Sequence, residues 1–336
     1  MNDFKYMVCT RCMTYNQAPF IKDALQGFCS QNVSFPSLYI IVDDASTDGE
    51  QAVLKQWAED NLSFIQEDGA FKKNAVFGFE LFSQYKENKN LFFLIILLKE
   101  NHYSQGKSRI NYFESYCRQA KYQAICDGDD YWCDPYKLKL QVDYMENHPE
   151  CSACSTNAIV INEKKENKGF FSDKPSRYIT NMDEIVIQRQ FHTASVLWRE
   201  PYDTIKGSWD THIWCSLLTQ GKIWYDNRVT CAYRKAGQGV TNTTPKLKWV
   251  ETNENWSNIL YEQFGPKALS YTGAYLSLTR DILSLLILNK TLSEEEKRIM
   301  KCKYHKYANW EINIKNVPFL FKLYRSKWIT IVRKGL

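Results

Sequence analysis

Residues 124–135 read Ala-Ile-Cys-Asp-Gly-Asp-Asp-Tyr-Trp-Cys-Asp-Pro, and this stretch decides the fold prediction. The apolar residues at its start predict a short buried strand, and Asp127, Asp129 and Asp130 follow directly where that strand ends. Carboxylates this close repel one another, and burial adds to the cost of their charge. A divalent cation relieves both effects, because Mg²⁺ and Mn²⁺ prefer carboxylate oxygens and leave coordination positions for substrate phosphates. The stretch therefore predicts a metal–diphosphate site; the alternative is a solvated acidic turn, with Pro135 in the first turn of a helix.

Outward from this stretch, strand-like apolar runs alternate with helical segments through about residue 150. Strands are predicted at residues 6–14, 38–42, 92–99 and 124–126, and helices at 18–29, 49–60 (capped by Asp48) and 107–120. Residues 62–90 show no clear pattern. This alternation predicts an α/β fold with a mostly parallel sheet and helices on both faces. The carboxyl ends of such strands form the ligand crevice, and Asp43, Asp44 and the cluster at Asp127 all occupy that position.

The second half of the chain continues the pattern and then becomes helical. Helices are predicted at residues 135–147 and 211–219, and strands at 152–162, 193–199 and 222–233. From about residue 247 the apolar spacing is helical to the end. The sequence therefore predicts a catalytic domain over residues 1–240 and a C-terminal helical region over residues 241–336.

Composition excludes several classes of protein. The chain of 336 residues is 44% hydrophobic with a net charge of +5, which suits a folded protein and is too weak to indicate nucleic-acid binding. Its 11 cysteines and polar, charged N-terminus favour a reducing cytoplasm. Cys9 and Cys12 lie in an extended segment, so they are interpreted as packing residues on opposite faces rather than zinc ligands. The longest apolar run, residues 91–98, is far shorter than the roughly 20 residues of a membrane-spanning helix.

Several ordered blocks resemble the family 2 glycosyltransferases. The blocks are Thr-Tyr-Asn-Gln at 14–17, Val-Asp-Asp-Ala-Ser-Thr-Asp-Gly at 42–49, Glu-Asn-His-Tyr-Ser-Gln-Gly-Lys at 100–107, and Asp-Gly-Asp-Asp-Tyr-Trp-Cys-Asp-Pro with the following Lys-Leu-Lys-Leu-Gln at 127–141. The resemblance covers about residues 5–240. It implies a GT-A (Rossmann-like) fold, a nucleotide-sugar donor with UDP as the family's usual nucleotide, Mn²⁺ or Mg²⁺, and inversion at the anomeric carbon.

The resemblance also implies roles for individual residues on the donor side. Thr14 and Asn16 would contact the nucleotide base, and Asp43 or Asp44 would accept a hydrogen bond from the base or the ribose. Asp127 would lie near the ribose, and Asp129 would bind the metal, with Asp130 sharing either role. Lys107 and Arg109 would approach the diphosphate from the helix predicted at residues 107–120. The alternatives are an Asx turn and helix cap at the first acidic pair, and a solvated helix face at the two basic residues.

The acceptor side resembles the family less closely. Relatives read Gly-Asp-Trp before a helix, then Gly-Lys-Ile and Tyr-Arg; here Gly-Ser-Trp-Asp at 207–210 precedes the helix. Counting back from Gly-Lys-Ile at 221–223 makes Asp210 the catalytic base, with Asp203 as runner-up and a plain N-cap as the alternative. His-Thr-Ala-Ser at 192–195 resembles the family's acceptor-side strand. Residues 233–239 are predicted to form a basic, glycine-containing lid over the diphosphate.

Residues 314–336 form a basic and aromatic segment. As an amphipathic helix it would lie on an anionic membrane surface, giving peripheral contact at the inner face of the cell membrane; packing on the catalytic domain is the alternative. The resemblance implies a glycan or lipid-linked glycan acceptor in bacterial surface polysaccharide synthesis. Two other functions stay open: a sugar-phosphate nucleotidyltransferase, whose usual glycine-rich phosphate loop is absent at 14–17, and a non-catalytic module that binds a sugar nucleotide or a glycan.

Overall fold

The computed structural model describes residues 4–64, 71–74, 76–199, 209–235, 244–265, 268–289 and 292–334. They divide into two compact units, one built from Met1–Thr180 with Phe191–Ala236 and the other from Asn181–Gln190 with Gly237–Leu336. The first unit holds the described strands, and the second is helical.

The first unit is built on one sheet of thirteen described strands. They are β1 Tyr6–Thr14, β2 Ser37–Asp43, β3 Leu62–Phe64, β4 Lys72–Asn74, β5 Gly78–Tyr85, β6 Leu91–Leu98, β7 Ala120–Ile125, β8 Tyr131–Trp132, β9 Cys151–Asn162, β10 Asn167–Phe170, β11 Arg177–Ile179, β12 Leu197–Arg199 and β13 Lys222–Lys235. The centre runs β7-β1-β2-β6 with all neighbours parallel, while β5 and β12 pair with its two sides antiparallel. The predicted α/β fold with a parallel centre is confirmed.

Helices cover both faces of this sheet. The helices of the first unit are α1 Ile21–Cys29, α2 Glu50–Asn61, α3 Glu114–Cys117, α4 Lys137–Asn147 and α6 Asp210–Leu218. One face packs Tyr39 and Phe93 against apolar residues of α1, α2 and α4, and the other packs Leu38 and Ile96 against residues around α3. Cys12 lies in the first cluster and Cys9 in the second, on opposite faces as the extended segment predicts.

The predicted helix over residues 107–120 is wrong. The segment instead turns through Gly106 at φ +65°, makes a 3-10 helix at Ile110–Tyr112 and then the single turn of α3. The backbone N–H groups of His102 and Tyr103 donate to Asp44, so the start of this segment is held at the end of β2. Its apolar spacing instead places Phe113 and Cys117 in the second cluster.

Three smaller differences concern element bounds. Residues 62–90 are not irregular where described, since β3, β4 and β5 form antiparallel pairs there. The strand predicted at 193–199 is a 3-10 turn, Thr193–Ser195, followed by β12. Gly49, with its left-handed φ of 93°, caps α2 in place of Asp48, whose carboxylate accepts from the N–H of Glu50.

The second unit is a set of helices around one central helix. They are α5 Met182–Ile187, α7 Lys246–Phe264, α8 Tyr271–Leu288, α9 Glu294–Tyr307 and α10 Trp310–Lys334. Helix α8 is the one that the other four contact, and its residues Leu278 and Ile282 are fully buried. No described helix is long and apolar enough to cross a membrane.

Candidate functional site

Four parallel strands deliver the predicted site residues to the same edge of the sheet. Strand β1 pairs Thr14 with Asp43 at the end of β2, which pairs in turn with Leu97 near the end of β6, while Arg11 of β1 pairs with Ile125 of β7. The segments that follow these strands therefore lie side by side. The prediction that the acidic clusters share one edge of the sheet is confirmed.

The turn after β7 packs tightly against the end of β1. The N–H of Gly128 donates to the carbonyl of Met13 over 3.1 Å, and the N–H of Asp130 donates to the carbonyl of Asp127 over 3.1 Å. A Cβ on Gly128 would meet Thr14 Oγ1 at 2.4 Å, a distance that real side chains do not tolerate. Glycine at this position is therefore what allows the carboxylates on either side of it to reach the first loop.

The three aspartates of this turn differ in what surrounds them. Asp127 and Asp129 are half-buried, whereas Asp130 is buried, with Oδ1 accepting from the N–H of Arg234 over 2.9 Å and Oδ2 lying 3.5 Å from His192 Nδ1. The N–H of Met13 donates to Asp127 Oδ1 over 3.4 Å. Asp127 and Asp129 therefore keep more solvent-accessible surface than Asp130.

Burial and mutual repulsion disfavour negative charge on this turn. Burial, followed by the charges of Asp129 and Asp210, raises the pKa of Asp127 to about 7. Burial also raises the pKa of Asp129 and, together with the charge of Asp129, that of Asp130. This is the setting that a divalent cation would relieve.

The donor set fits a cation that shares its coordination shell with a substrate. Among the described residues, no three His, Cys, Asp or Glu side chains are grouped to hold an ion by themselves. Mg²⁺ bound through one or two carboxylates, with phosphate oxygens and waters completing the shell, needs no such group. Asp129 matches that requirement better than Asp130, whose two oxygens lie against the N–H of Arg234 and the ring of His192.

The first loop, residues 14–17, is held in place by a carboxylate that the sequence did not single out. Glu50, at the start of α2, is fully buried and accepts hydrogen bonds from the hydroxyl of Thr14, the N–H of Gln17 over 2.8 Å and the hydroxyl of Ser46 over 2.9 Å. Burial raises the pKa of Glu50. Thr14 and Gln17 both lie more than thirty positions before Glu50 in the sequence, so spacing alone gives no signal of this role.

Asn16 links the first loop to the loop after β2. It adopts a left-handed φ of 53°, its N–H donates to Ser46 Oγ over 2.8 Å, and its Oδ1 accepts from the N–H of Thr47 over 2.7 Å. The side-chain oxygen of Asn16 is thus used to join the two loops. Thr14 is buried beneath them.

Asp43 and Asp44 are both fully buried, with different surroundings. Asp44 accepts from the N–H of His102 over 2.7 Å and from Arg109 Nη1 over 3.1 Å, so it anchors the segment after β6. Asp43 Oδ1 accepts from the N–H of Ser46 and the amide of Gln51, while no described donor lies within hydrogen-bonding distance of its Oδ2. Burial raises the pKa of Asp43. The open acceptor of this pair is Asp43 Oδ2.

The two predicted basic residues lie in the turn that replaces the predicted helix. Lys107 is exposed and pairs with Glu100 over 3.2 Å. Arg109 pairs with buried Asp44, and its charge lowers the pKa of Asp127. Arg109 is therefore brought towards the acidic turn, and Lys107 forms an ion pair on the surface.

Asp210 is the first residue of α6 rather than its cap, since Trp209 occupies the N-cap position. Thr193 Oγ1 donates to Asp210 Oδ2 over 2.6 Å, which joins it to the predicted acceptor-side segment. The charge of Asp210 is among the causes that raise the pKa of Asp127, so the two carboxylates face a common region. Asp203, Gly207 and Ser208 lie outside the described residues.

The start of the predicted lid belongs to β13 instead. Tyr233 stacks on His192 with ring centroids 4.2 Å apart, and the Arg234 side chain is fully buried. Arg234 Nη2 donates to Asp23 of α1 over 2.6 Å and Nε donates to the carbonyl of Asp129 over 2.9 Å. This guanidinium is thus a buried brace for the acidic turn; residues 236–239 of the predicted lid lie outside the described residues.

No family model matches the chain. Uncharacterized proteins of Mycobacterium bovis and Mycobacterium tuberculosis are 28% identical over 251 residues, which is 71% of this chain. The chain spans 62% of the length of these curated relatives.

Two solved structures illustrate what the fold is similar to. Residues 1–349 of TarS from S. aureus, in complex with UDP-GlcNAc, give a TM-score of 0.48 at 14% identity over 90% of this chain and 72% of that chain. The mannosyltransferase PcManGT from Pyrobaculum calidifontis, in complex with GDP-Man and Mn²⁺, gives a TM-score of 0.45 at 12% identity over 93% of this chain and 83% of that chain.

Proposed function

We propose that this chain is an inverting glycosyltransferase of the hexosyltransferase type, which transfers a sugar from a nucleotide-diphosphate sugar to a hydroxyl group. One observation carries the proposal: Asp127 and Asp129 lie beside the Thr14 loop, and Asp127 is close enough to Asp210 for the two charges to interact. Donor-binding and proton-accepting groups are then available on one edge of the sheet. The ordered sequence blocks that resemble family 2 glycosyltransferases support the same function.

The nucleoside half of the donor would lie against the first two strand ends. Asp43 Oδ2, a buried acceptor, suits an N–H of a nucleotide base such as uracil. A UDP-sugar is the favoured donor because UDP is the usual nucleotide of the family that the sequence resembles. Thr14 and Asn16 would shape the loop around the base, and Asp44 would act through its contacts with the segment after β6. Asp127 would accept from a ribose hydroxyl.

The diphosphate half would lie over the acidic turn. Asp129, with Asp130 behind it, would hold Mn²⁺ or Mg²⁺, and the bound cation would neutralise the charge that grows on the leaving nucleotide diphosphate. Arg109 is placed to add a fixed positive charge near the same turn, and Lys107 would join it by leaving its exposed pair with Glu100.

The acceptor half would centre on Asp210. A hydroxyl is a weak nucleophile until a positioned base accepts its proton, and a carboxylate is a suitable base. The acceptor oxygen attacks the anomeric carbon, the bond from that carbon to the diphosphate oxygen breaks, and the proton passes to Asp210. The bond from Thr193 fixes the carboxylate's orientation. A single displacement of this kind inverts the anomeric carbon.

A glycan or lipid-linked glycan is the acceptor proposed here, in bacterial surface polysaccharide synthesis. The enzyme would work in the cytoplasm and contact the inner face of the cell membrane peripherally through the basic C-terminal helix. Membrane contact is a separate component of the proposal, because the donor and acceptor residues named above all belong to the first unit.

A thermal-shift screen tests the proposal most directly. The full chain is heated with UDP-, GDP- and dTDP-sugars, each with and without Mn²⁺, since stabilisation grows with ligand concentration over its dissociation constant. Release of free nucleotide diphosphate from the preferred donor supports transfer; release of pyrophosphate from a nucleoside triphosphate and a sugar phosphate would indicate a nucleotidyltransferase instead. Stable donor binding without any turnover would indicate a non-catalytic binding module. The one feature that favours this alternative is Trp209, which precedes Asp210 here, whereas relatives read Gly-Asp-Trp.

Asp129→Asn provides the matched variant. The substitution keeps the shape of the side chain and removes its charge, so we expect loss of transfer and of the Mn²⁺-dependent part of donor binding, with an unchanged melting temperature in the absence of ligand. Turnover measured at saturating Mn²⁺ checks this. Wild-type turnover in the variant would contradict the metal assignment.

A further inference from the structure

Helix α10 packs on the second unit through one face. Ile312 and Asn316 are fully buried, and Asn316 Nδ2 donates to Thr279 Oγ1 of α8 over 3.2 Å. The Arg280 guanidinium, also from α8, lies 5.4 Å from the ring centroid of Phe319. This face therefore already has its partner.

The opposite face of α10 is apolar as well. Its exposed side chains are Trp310 at 76%, Ile314 at 61%, Val317 at 48%, Phe321 at 73% and Tyr324 at 57%. Their spacing alternates between four and three residues, which places them in one stripe along the helix. We call these five residues the α10 stripe. Contiguous apolar surface of this kind is uncommon on monomeric soluble proteins and indicates an interaction site.

The charges beside the stripe select its partner. Lys315 and Lys322 are exposed, and the only carboxylate within the sequence of the helix is Glu311, which pairs with Lys315 over 2.9 Å. The remaining basic residues of α10 are Arg325, Lys327, Arg333 and Lys334. Two copies of this helix side by side would bring like charges together, whereas an anionic surface would attract them.

We propose that the α10 stripe is a docking surface for an anionic lipid membrane, on which the helix lies in the plane of the headgroups. Trp310, Phe321 and Tyr324 would enter the boundary between headgroups and acyl chains, while Lys315 and Lys322 extend their ammonium groups to the lipid phosphates. A helix that lies in the headgroup region binds reversibly, in contrast to the insertion of a membrane-spanning helix.

Vesicle co-sedimentation of the full chain tests this surface. We expect the protein to sediment with vesicles of phosphatidylcholine mixed with phosphatidylglycerol, and the double variant Trp310→Ser/Phe321→Ser to bind about tenfold less tightly or worse, because each buried methylene contributes about 0.8 kcal/mol. Binding should also weaken with added salt and on pure phosphatidylcholine vesicles. Both substituted side chains are exposed, so the melting temperature should stay unchanged.

Phe170→Ser is the matched control, because Phe170 is an equally prominent exposed phenylalanine on the first unit, at 63%. Equal vesicle binding by wild type and the double variant, or loss of binding in the control alone, would overturn the proposal. The proposal would also be overturned if the wild type does not bind vesicles and is a dimer by light scattering while the double variant is a monomer. Turnover does not enter this test, so its failure is separable from failure of the proposed transferase activity.

Discussion

At the scale of single residues, Asp210 carries the most specific chemical prediction. Its carboxylate is oriented by Thr193, and its charge contributes to the raised pKa of Asp127. Asp210→Asn keeps the shape of the side chain and removes the proposed base, so we expect kcat to fall by a factor of roughly 10² to 10⁴. Donor affinity should be retained, because the proposed donor contacts lie elsewhere.

Turnover and donor titration on the same preparations check this separation. Thr193→Val is the companion variant, since it removes the orienting hydroxyl and keeps the base; its kcat should fall less than that of Asp210→Asn. Lost donor binding in Asp210→Asn, at an unchanged melting temperature, would assign the residue to the donor site and contradict its role as the base.

Lys137 predicts a pH-dependent stability. Its side chain is fully buried, its ammonium donates to Gln141 Oε1 over 2.5 Å and lies 4.5 Å from the ring centroid of Trp132, and burial lowers its pKa from 10.5 to about 8. Below pH 8 the group is charged in both folded and unfolded states, so folding bears the full cost of burying it. Between pH 8 and 10.5 the folded state releases a proton that the unfolded state keeps, and this cost is relieved as pH rises.

Lys137→Met removes that dependence. We expect the free energy of unfolding of the wild type, relative to that of the variant, to rise by up to about 3 kcal/mol between pH 7 and pH 10, following the shift in pKa. Urea unfolding of both proteins at the two pH values measures it, and only the change in their difference matters, because the variant also leaves Gln141 Oε1 without this donor. A difference that does not change with pH would show that Lys137 keeps an ordinary pKa.

Sequence could predict which residues lie together in the candidate site only where those residues are close in the chain. The Asp127 turn was predictable because its carboxylates follow one strand, and Gly128 accompanies them. Glu50 and Arg234 were not, since their roles depend on partners brought together only by folding, such as Asp23 and Arg234, which are 211 positions apart.

At the scale of secondary-structure elements, the central strands and the long strands β9 and β13 were predicted well, and the segments at residues 62–90 and 107–120 were predicted poorly. Strands β2 and β6 are nearly uninterrupted apolar runs, as a strand buried on both faces must be. Strand β5 mixes buried with partly exposed residues and lies near the sheet edge, which gives a weaker pattern. The helix predicted at residues 107–120 failed because the chain turns at Gly106 and Arg109 pairs with Asp44, which leaves only a 3-10 turn and the single turn of α3 in this segment.

The end of β13 holds three separate elements together through one side chain. Arg234 bonds the carbonyl of Asp129, the carboxylate of Asp23 in α1 and the carbonyl of Glu163 after β9. Lysine has the charge and lacks the planar fork, so Arg234→Lys should leave at least one of these groups buried and unsatisfied. We expect a loss of about 1–3 kcal/mol in the free energy of unfolding and a larger rise in the donor KM than fall in kcat.

Lys165→Met is the control for this brace. Lys165 also pairs with Asp23, over 2.7 Å, but its side chain is 53% exposed. Exposed pairs contribute at most about 1 kcal/mol, so the control should change both stability and donor KM little. Equal effects of the two substitutions would show that the charge on Asp23, rather than the brace on the acidic turn, is what matters.

At the scale of the whole molecule, the two units should respond differently to the donor. Every residue proposed for donor and metal binding belongs to the first unit, whose strand ends meet at one edge. Hydrogen–deuterium exchange with a preferred UDP-sugar and Mn²⁺ should therefore slow the amides of residues 14–17, 44–48 and 127–130. Helices α7 to α9 of the second unit should exchange as before, because protection follows the local opening that the ligand opposes.

The same experiment on Asp129→Asn separates specific from general protection. If protection depends on the metal–diphosphate contact, the variant should lose the slowed exchange at residues 127–130 while the ligand-free exchange of both units stays at wild-type values. When vesicles are added without donor, contact of the α10 stripe with the membrane should slow amide exchange in the second unit alone. Donor-induced protection confined to α7–α10 would move the nucleotide site out of the strand-end edge and contradict its assignment, whichever residues then proved to bind the sugar.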